Sequence, residues 1–448
     1  MKKKILVLGA GLVARPLVDY LLKQSDFFVT VASRTASKAE KLIASHPRGK
    51  ALEVNVSEPT VLANLIVETD LVISLVPYTF HPIVAQACIQ YKKPMITTSY
   101  VGDAMRSLDQ EAKAAGIIIL NEIGLDPGID HMSAMKIIHR VKNRGGRVIS
   151  FYSYCGGLPA PEANNNPFGY KFSWSPKGVL LAGKNSARYL KDGKEIFIPG
   201  PELFSHYWVV EIEGLGKFEA YPNRDSLPYI ELYGLVGISS MCRGTLRNLG
   251  WCETFKKIVE LGLLDDKELD NLRGLTYRDW LKNLLKQSNH TDLRSALADF
   301  LKLDKDSMIV RRLEWLGLLT DEPIGLEKGA NIDILVKRMQ EKMSYQPGER
   351  DMIVLKHEFI AEYPKESRKE KIESTLIDFG IPNGDTAMSR TVSLPAAIAA
   401  KLILTDKIKL TGIQIPVVSE IYEPVLAELE TLNIVCKEKT IPLPEANF

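Results

Sequence analysis

Apolar residues follow three different rhythms along the chain. Over residues 5–121, short and almost wholly apolar runs alternate with amphipathic stretches. The runs predict strands at 5–8, 28–32, 51–56, 70–76, 95–98 and 117–121. The stretches between them predict helices at 15–23, 38–45, 58–68, 81–90 and 104–115. A run such as Asp-Leu-Val-Ile-Ser-Leu-Val at 70–76 suits a parallel strand covered on both faces. Regular alternation of strand and helix predicts a doubly wound sheet with right-handed crossovers. A further helix is predicted at 131–141. From Arg147 the period shortens to two, as in Val-Ile-Ser-Phe-Tyr-Ser-Tyr at 148–154. That pattern fits a sheet with one covered face, and strands are predicted at 147–154, 195–198, 218–221, 351–362 and 371–379. Between 247 and 343 apolar residues recur at three and four, predicting helices at 251–261, 277–287, 293–301, 307–316 and 332–343. An alanine-rich helix at 391–404, then a helix at 414–432 and a strand at 433–437, close the chain and are expected to return to the first domain.

The first strand runs directly into Gly9-Ala10-Gly11-Leu12-Val13-Ala14, and a helix follows. Strand, glycine loop, helix and strand in this order form the dinucleotide fingerprint, in which small residues let the backbone approach a pyrophosphate at a helix N-terminus. The alternative is a glycine turn in another α/β domain. The second predicted strand ends in Ser33-Arg34-Thr35, where an NAD site would place an acidic residue. Two hydroxyls and a guanidinium suit a 2′-phosphate, so NADP is the expected cofactor; the alternative for Arg34 is a solvated surface arginine. Ligands of such sheets sit beyond the carboxyl ends of the strands. Besides the glycine loop, those ends are Ser33 to Thr35, Asn55-Val56, Val76-Pro77, Thr98 to Tyr100, and Glu122 to Asp126. The expected class is α/β: a Rossmann-type doubly wound dinucleotide domain (1–125 plus 391–448), a second α+β substrate and dimerisation domain (126–246 plus 346–390), and an all-helical insertion (247–345).

Composition narrows the partners. With 448 residues, 45% hydrophobic, 25% charged and a net charge of +2, the chain offers no strong electrostatic target, and nucleic acid is not expected. No apolar run reaches the length of a membrane span, and Met-Lys-Lys-Lys leads straight into a strand, so no membrane association is expected. Five cysteines without CxxC spacing point to reduced thiols in a cytoplasmic setting, and no metal site is expected.

Two common dehydrogenase chemistries are excluded by residue type. No tyrosine has a lysine four positions later, as the short-chain class requires, and the cysteine and histidine spacing of a zinc alcohol dehydrogenase is missing. The chain instead resembles the saccharopine reductase family, the NADP-dependent, glutamate-forming saccharopine dehydrogenases of the lysine α-aminoadipate pathway. The resemblance rests on the glycine loop, Leu75-Val76-Pro77, Thr97-Thr98-Ser99-Tyr100, Gly124-Leu125-Asp126-Pro127-Gly128, Cys155-Gly156-Gly157-Leu158-Pro159, Pro222-Asn223-Arg224-Asp225, Arg243-Gly244-Thr245-Leu246-Arg247 and Ser393-Leu394-Pro395-Ala396-Ala397. It spans nearly the whole chain. The lack of a fused lysine-ketoglutarate reductase portion resembles the free-standing fungal form.

The resemblance implies condensation of glutamate's amine with α-aminoadipate semialdehyde and hydride delivery from NADPH to the imine carbon, giving saccharopine. It implies cofactor contacts from Gly9, Gly11, Leu12, Val13, Ala14, Ser33, Arg34, Thr35, Asn55, Val56, Val76, Thr98, Ser99, Leu125, Asp126, Pro127 and Ser175. Ser175 is otherwise an ordinary turn residue. Substrate contacts are implied for Ser99, Tyr100, Asp126, Arg224, Thr245, Leu246 and Arg247, the arginines answering the substrate's carboxylates through bidentate pairing. The alternative for Arg224 and Arg247 is loop salt bridging. Tyr100, Asp126 and Cys155 are the candidates for proton handling, with a helix cap as the alternative for Asp126 and a small buried hydrophobe for Cys155. A homodimer through the second domain's sheet is also implied. Competing readings are another imine reductase, such as a carboxynorspermidine dehydrogenase, or a non-catalytic NADP-binding regulator.

Overall fold

A computed structural model describes residues 2–269, 271–286 and 292–444. It divides into two compact units, one formed by 1–148 with 355–448 and the other by 149–354.

In the first unit the chain runs β1 (Lys3–Leu8), α1 (Ala14–Lys23), β2 (Phe27–Ser33), α2 (Ala36–Ile43), β3 (Gly49–Glu53), α3 (Pro59–Val67), β4 (Leu71–Ser74), α4 (His81–Gln90) and β5 (Met95–Thr97). Two short helices, α5 (Asp103–Arg106) and α6 (Asp109–Ala115), then β6 (Ile118–Leu120) and α7 (Ile129–Asn143) complete this part. The single helix predicted at 104–115 is therefore broken, at Ser107 and Leu108. Leu8, Ile73 and Ile96 and their strand neighbours are fully buried, as the two-sided covering of the apolar runs requires. On one face, Leu6, Leu8 and Val72 join Leu62 and Ile66 of α3, Val84, Ala85 and Cys88 of α4, and Ala112 of α6 in one core.

The second unit begins within β7 (Arg147–Pro159). It continues through α8 (Pro176–Ala182), β8 (Ala187–Lys191), β9 (Lys194–Ile198), β10 (Trp208–Ile212), β11 (Gly216–Pro222), α9 (Pro228–Leu232) and β12 (Ser240–Arg247). β12 lies parallel to β7 and antiparallel to β11, β10 extends the sheet beyond β11, and the β8–β9 hairpin attaches to β12 at Met241. A helical segment follows: α10 (Trp251–Glu260), β13 (Glu268–Leu269), α11 (Tyr277–Leu285), α12 (Leu293–Leu301), α13 (Met308–Leu316), β14 (Gly329–Ala330) and α14 (Asn331–Lys342). The helix predicted at 277–287 ends at Leu285, and Gln287 lies outside the described residues. Capping chemistry fixes two of these starts: Asp292 accepts from Arg294 N, and Ser307 accepts from Val310 N.

The chain then returns to the first unit within β15 (Asp351–Tyr363), followed by β16 (Arg368–Phe379), α15 (Ala387–Leu404), β17 (Gly412–Gln414), α16 (Ser419–Thr431) and β18 (Lys437–Leu443). β17 joins the edge of the parallel sheet, whose order becomes β17-β6-β5-β4-β1-β2-β3. α15 packs on α1, β4 and β5, opposite the α3/α4 face. It is long and apolar enough to cross a membrane by composition, yet 83% of it is buried in the protein, so the core accounts for its apolarity. The strand predicted at 433–437 lies instead at 437–443 and pairs antiparallel with β16. Gln414, predicted as helical, belongs to β17.

Candidate functional site

The order β3-β2-β1-β4-β5-β6 reverses direction between β1 and β4, the switch point where such sheets bind dinucleotides. The loop at 9–13 leaves β1 at that point. Gly9 has φ +109°, and a Cβ there would lie 2.9 Å from the Leu75 carbonyl oxygen, so close approach to β4 requires glycine. Gly11 differs, because a Cβ there would meet nothing within 4 Å. The protein's own packing does not demand that glycine, and the open space over the backbone fits a pyrophosphate. Ala14, the third small position, is fully buried in the first turn of α1. Val13 caps α1 without a side-chain acceptor and no acidic residue stands in the first turn, so the positive end of the helix is open to an anion. Leu12 is 70% exposed beside them.

At the end of β2, Ser33 Oγ accepts from Thr35 N (3.4 Å), and Thr35 is the N-cap of α2 without a side-chain cap. Arg34 is exposed between them and has no ion-pair partner among the described residues. Two hydroxyls, a guanidinium and a helix N-terminus fit the 2′-phosphate of NADP. Asn55 Oδ1 accepts from Ser57 N (3.2 Å) just past β3, with Val56 buried beside it. Val76 packs half-buried past β4.

The remaining residues of this unit converge on the turn after β5. Thr98 lies against the loop at 124–128: a Cβ on Gly124 would come within 3.2 Å of Thr98 Cβ and 3.1 Å of the Pro127 oxygen. That loop folds on itself, Gly124 N donating to Pro127 O (2.9 Å) and Asp130 N to Leu125 O (3.0 Å). Tyr100 donates its hydroxyl to Asp126 Oδ1 (2.9 Å). Gly128, and not Asp126, is the N-cap of α7, and Asp130 Oδ1 accepts from its amide (2.6 Å). The turn is clamped from below. Glu122 N donates to Ser99 O (3.1 Å), its Oε1 accepts from Val101 N (2.9 Å), and its Oε2 lies 2.8 Å from buried His131 Nε2.

In the second unit, β12 carries the other implied residues. Cys155 on β7 is the register partner of Thr245, and a Cβ on Gly156 would press within 2.8 Å of Leu246. Leu246 is fully buried and Thr245 half-buried. Arg247 is only 5% exposed, yet no carboxylate pairs with it among the described residues. Its guanidinium carbon lies 5.0 Å from the Tyr170 ring and 5.3 Å from the Trp251 ring, Nη1 donates to Leu246 O (2.8 Å), and Nε has no acceptor. A buried cation with an unsatisfied donor fits an anionic ligand. Neighbouring Glu219 spends both oxygens on Gly250 N (2.6 Å) and Cys252 N (2.8 Å) at the start of α10. Arg224 is exposed at φ +57°, its carbonyl accepting from Arg188 N (2.9 Å), while Asp225 binds the Arg188 guanidinium (2.8 Å). Ser175 is the N-cap of α8, accepting from Gly178 N (3.3 Å). That bond is a structural task in itself.

Both stretches of the chain that carry these residues match known proteins. Residues 5–120 match the family model described as the saccharopine dehydrogenase NADP binding domain, and residues 124–434 match the saccharopine dehydrogenase C-terminal domain. The chain belongs to the saccharopine dehydrogenase family. Saccharopine dehydrogenase [NADP(+), L-glutamate-forming] of Pyricularia oryzae is 42% identical over 98% of this chain and 99% of its own length. The enzyme of the same name from Saccharomyces cerevisiae is 42% identical over 98% of this chain and all of its own. The solved apo, histidine-tagged saccharopine dehydrogenase (L-Glu forming) from S. cerevisiae superposes with a TM-score of 0.89 at 40% identity, covering 98% of this chain and 100% of that one.

Tyr170, Trp251 and His131 are built into the same places without a signal in the sequence. Tyr170 and Trp251 enclose Arg247, but Tyr170 lies 77 positions earlier, with no periodic link to it. Glu122 and His131 hold the Ser99–Tyr100 turn. Glu122 was legible as a strand-end residue, and its left-handed φ of +57° is what turns it back toward Val101.

Proposed function

We propose that this protein catalyses the reversible NADPH-dependent condensation of L-glutamate with L-2-aminoadipate 6-semialdehyde to saccharopine, in lysine biosynthesis by the α-aminoadipate pathway. The observation that carries this reading is Arg247: a desolvated guanidinium, flanked by aromatic rings and lacking a carboxylate of its own, suits a substrate with several carboxylates. The same cation disfavours the amine-rich substrate of a carboxynorspermidine dehydrogenase. Family membership and the names of the near-full-length relatives support the rest.

When bound at the glycine loop and Ser33-Arg34-Thr35, NADPH supplies the hydride that reduces the imine carbon. The chain's own residues do the remainder. Condensation of amine and aldehyde expels water through a carbinolamine, which requires a proton at the leaving hydroxyl; the Tyr100–Asp126 pair holds a proton between phenol and carboxylate for this use. Arg247 and Arg224 fix carboxylates, and Thr245 and Leu246 frame them with backbone. Orientation of this kind can supply about 7–11 kcal/mol of the barrier without any covalent step. Cys155, in register with Thr245, is assigned to substrate contact.

The test is NADP reduction by saccharopine at alkaline pH, run beside NAD and beside carboxynorspermidine. Saccharopine-dependent turnover with a strong preference for NADP is expected. NADPH binding without turnover would favour a regulator instead. We further propose a homodimer, supported by the edge strand β10 with its exposed Val209; sedimentation velocity should give twice the chain mass. A cytoplasmic location is proposed on the five cysteines, all outside disulfides, and is checked by cell fractionation.

A further inference from the structure

Beneath the Ser99 turn lies a buried imidazole that the proposed reaction does not use. His81 opens α4 and is 2% exposed. Its Nδ1 is 2.9 Å from Ser74 Oγ, and its Nε2 is 3.0 Å from Thr97 Oγ1 and 2.8 Å from Ser99 Oγ. Ser74 and Thr97 are register partners at the carboxyl ends of adjacent parallel strands. Two buried hydroxyls, one at each nitrogen, already satisfy an imidazole's donor and acceptor. The third hydroxyl needs a different explanation, because Ser99 lies outside the strand, is half-buried, and makes the shortest of the three contacts.

The main chain of Ser99 is already fixed. Its amide donates to Thr97 Oγ1 (3.3 Å) and its carbonyl accepts from Glu122 N (3.1 Å). Only its side-chain torsion stays open, and the contact with His81 Nε2 closes it. Burial holds the imidazole pKa down at about 4, so the ring is neutral where the enzyme works. A neutral ring presents one donor and one acceptor and therefore orders the hydroxyls around it.

We propose that His81 is a positioning residue: it sets the direction of the Ser99 hydroxyl at the carboxyl edge of the parallel sheet, and through it the fit of the ligand held there. This rests on the reading of Ser99 as a ligand contact.

The experiment is a double-mutant cycle in the full-length protein, with His81→Phe, Ser99→Ala and the double variant, plus His81→Gln as the conservative rescue. Each single change is expected to lower kcat/KM for saccharopine about 3- to 10-fold, mainly through KM, as loss of one oriented hydrogen bond does. The double variant should be no worse than Ser99→Ala, and His81→Gln should recover most of the loss. Melting temperatures control for folding; if His81→Phe does not fold, the cycle is run with His81→Ala against Ser99→Ala, and His81→Gln stays the rescue. Effects that multiply in the double variant, or no effect from Ser99→Ala, would overturn the proposal. Wild-type turnover decides the underlying reading separately. Should the wild type not oxidise saccharopine, the same cycle is read in NADPH affinity by fluorescence titration, with coupling supporting the proposal and additivity or no effect overturning it.

Discussion

Two side chains carry the sharpest expectations. Arg247 is held by aromatic faces and one carbonyl, and its Nε has no acceptor among the described residues, which leaves that donor for the substrate carboxylate proposed above. Arg247→Met should lower kcat/KM for saccharopine by about 10- to 100-fold, the worth of a charge-assisted hydrogen bond, while leaving NADPH affinity unchanged. Arg247→Lys should recover little, since an ammonium neither stacks nor pairs bidentately. Steady-state kinetics with a parallel NADPH titration checks both. His81 predicts a stability effect. Its folded pKa of about 4 lies below the value of an exposed histidine. The unfolded chain therefore binds the extra proton first as pH falls. The stability is present above about pH 6.5 and is lost as pH drops toward 4, a contribution on the order of 3 kcal/mol. Denaturant unfolding at pH 7.5 and 5 should show a steeper loss in the wild type than in His81→Gln.

At the scale of elements, the two glycines of the first loop separate fold from function. Gly9→Ala forces a Cβ into the Leu75 carbonyl at an unfavourable φ and should cost about 1–3 kcal/mol of stability. Gly11→Ala meets open space, so the melting temperature should hold while NADPH affinity falls at least about tenfold. Calorimetry beside fluorescence titration distinguishes the two. The same elements show what a sequence discloses. The βαβ opening was legible because apolar run, glycine loop and amphipathic helix agree, and α12 was predicted to the residue because Asp292 caps a clean three-four pattern. β12 was not seen as a strand. Its sequence, Ser-Met-Cys-Arg-Gly-Thr-Leu-Arg, buries Arg243 and Arg247 at positions where a core strand ordinarily has apolar residues. Those two buried charges are what hide it. β18 escaped in the opposite way, as a polar strand of lysines and a glutamate with little apolar alternation.

For the molecule as a whole, the motifs of the first unit were legible because they lie at strand ends and turns, whereas Cys155, Thr245 and Leu246 lie inside strands and were named from the family resemblance. Long-range partners such as Tyr170, Trp251 and His81 were silent, since a contact between distant positions leaves no period. The assembly of the first unit follows from its discontinuity. Its parallel sheet takes six strands from residues 3–120 and the seventh from 412–414, and α15 covers β4 and β5 from positions 387–404. During synthesis, at roughly 5–20 residues per second, the nucleotide-binding half waits for more than 260 further residues before its second face is covered. Until then β6 is an open edge and the apolar surface under β4 and β5 is bare. A chain stopped after residue 386 should therefore aggregate and bind no NADPH, as gel filtration and titration would show. Ribosome pausing or chaperone shortage should reduce the yield of this protein before it affects one whose dinucleotide domain is contiguous.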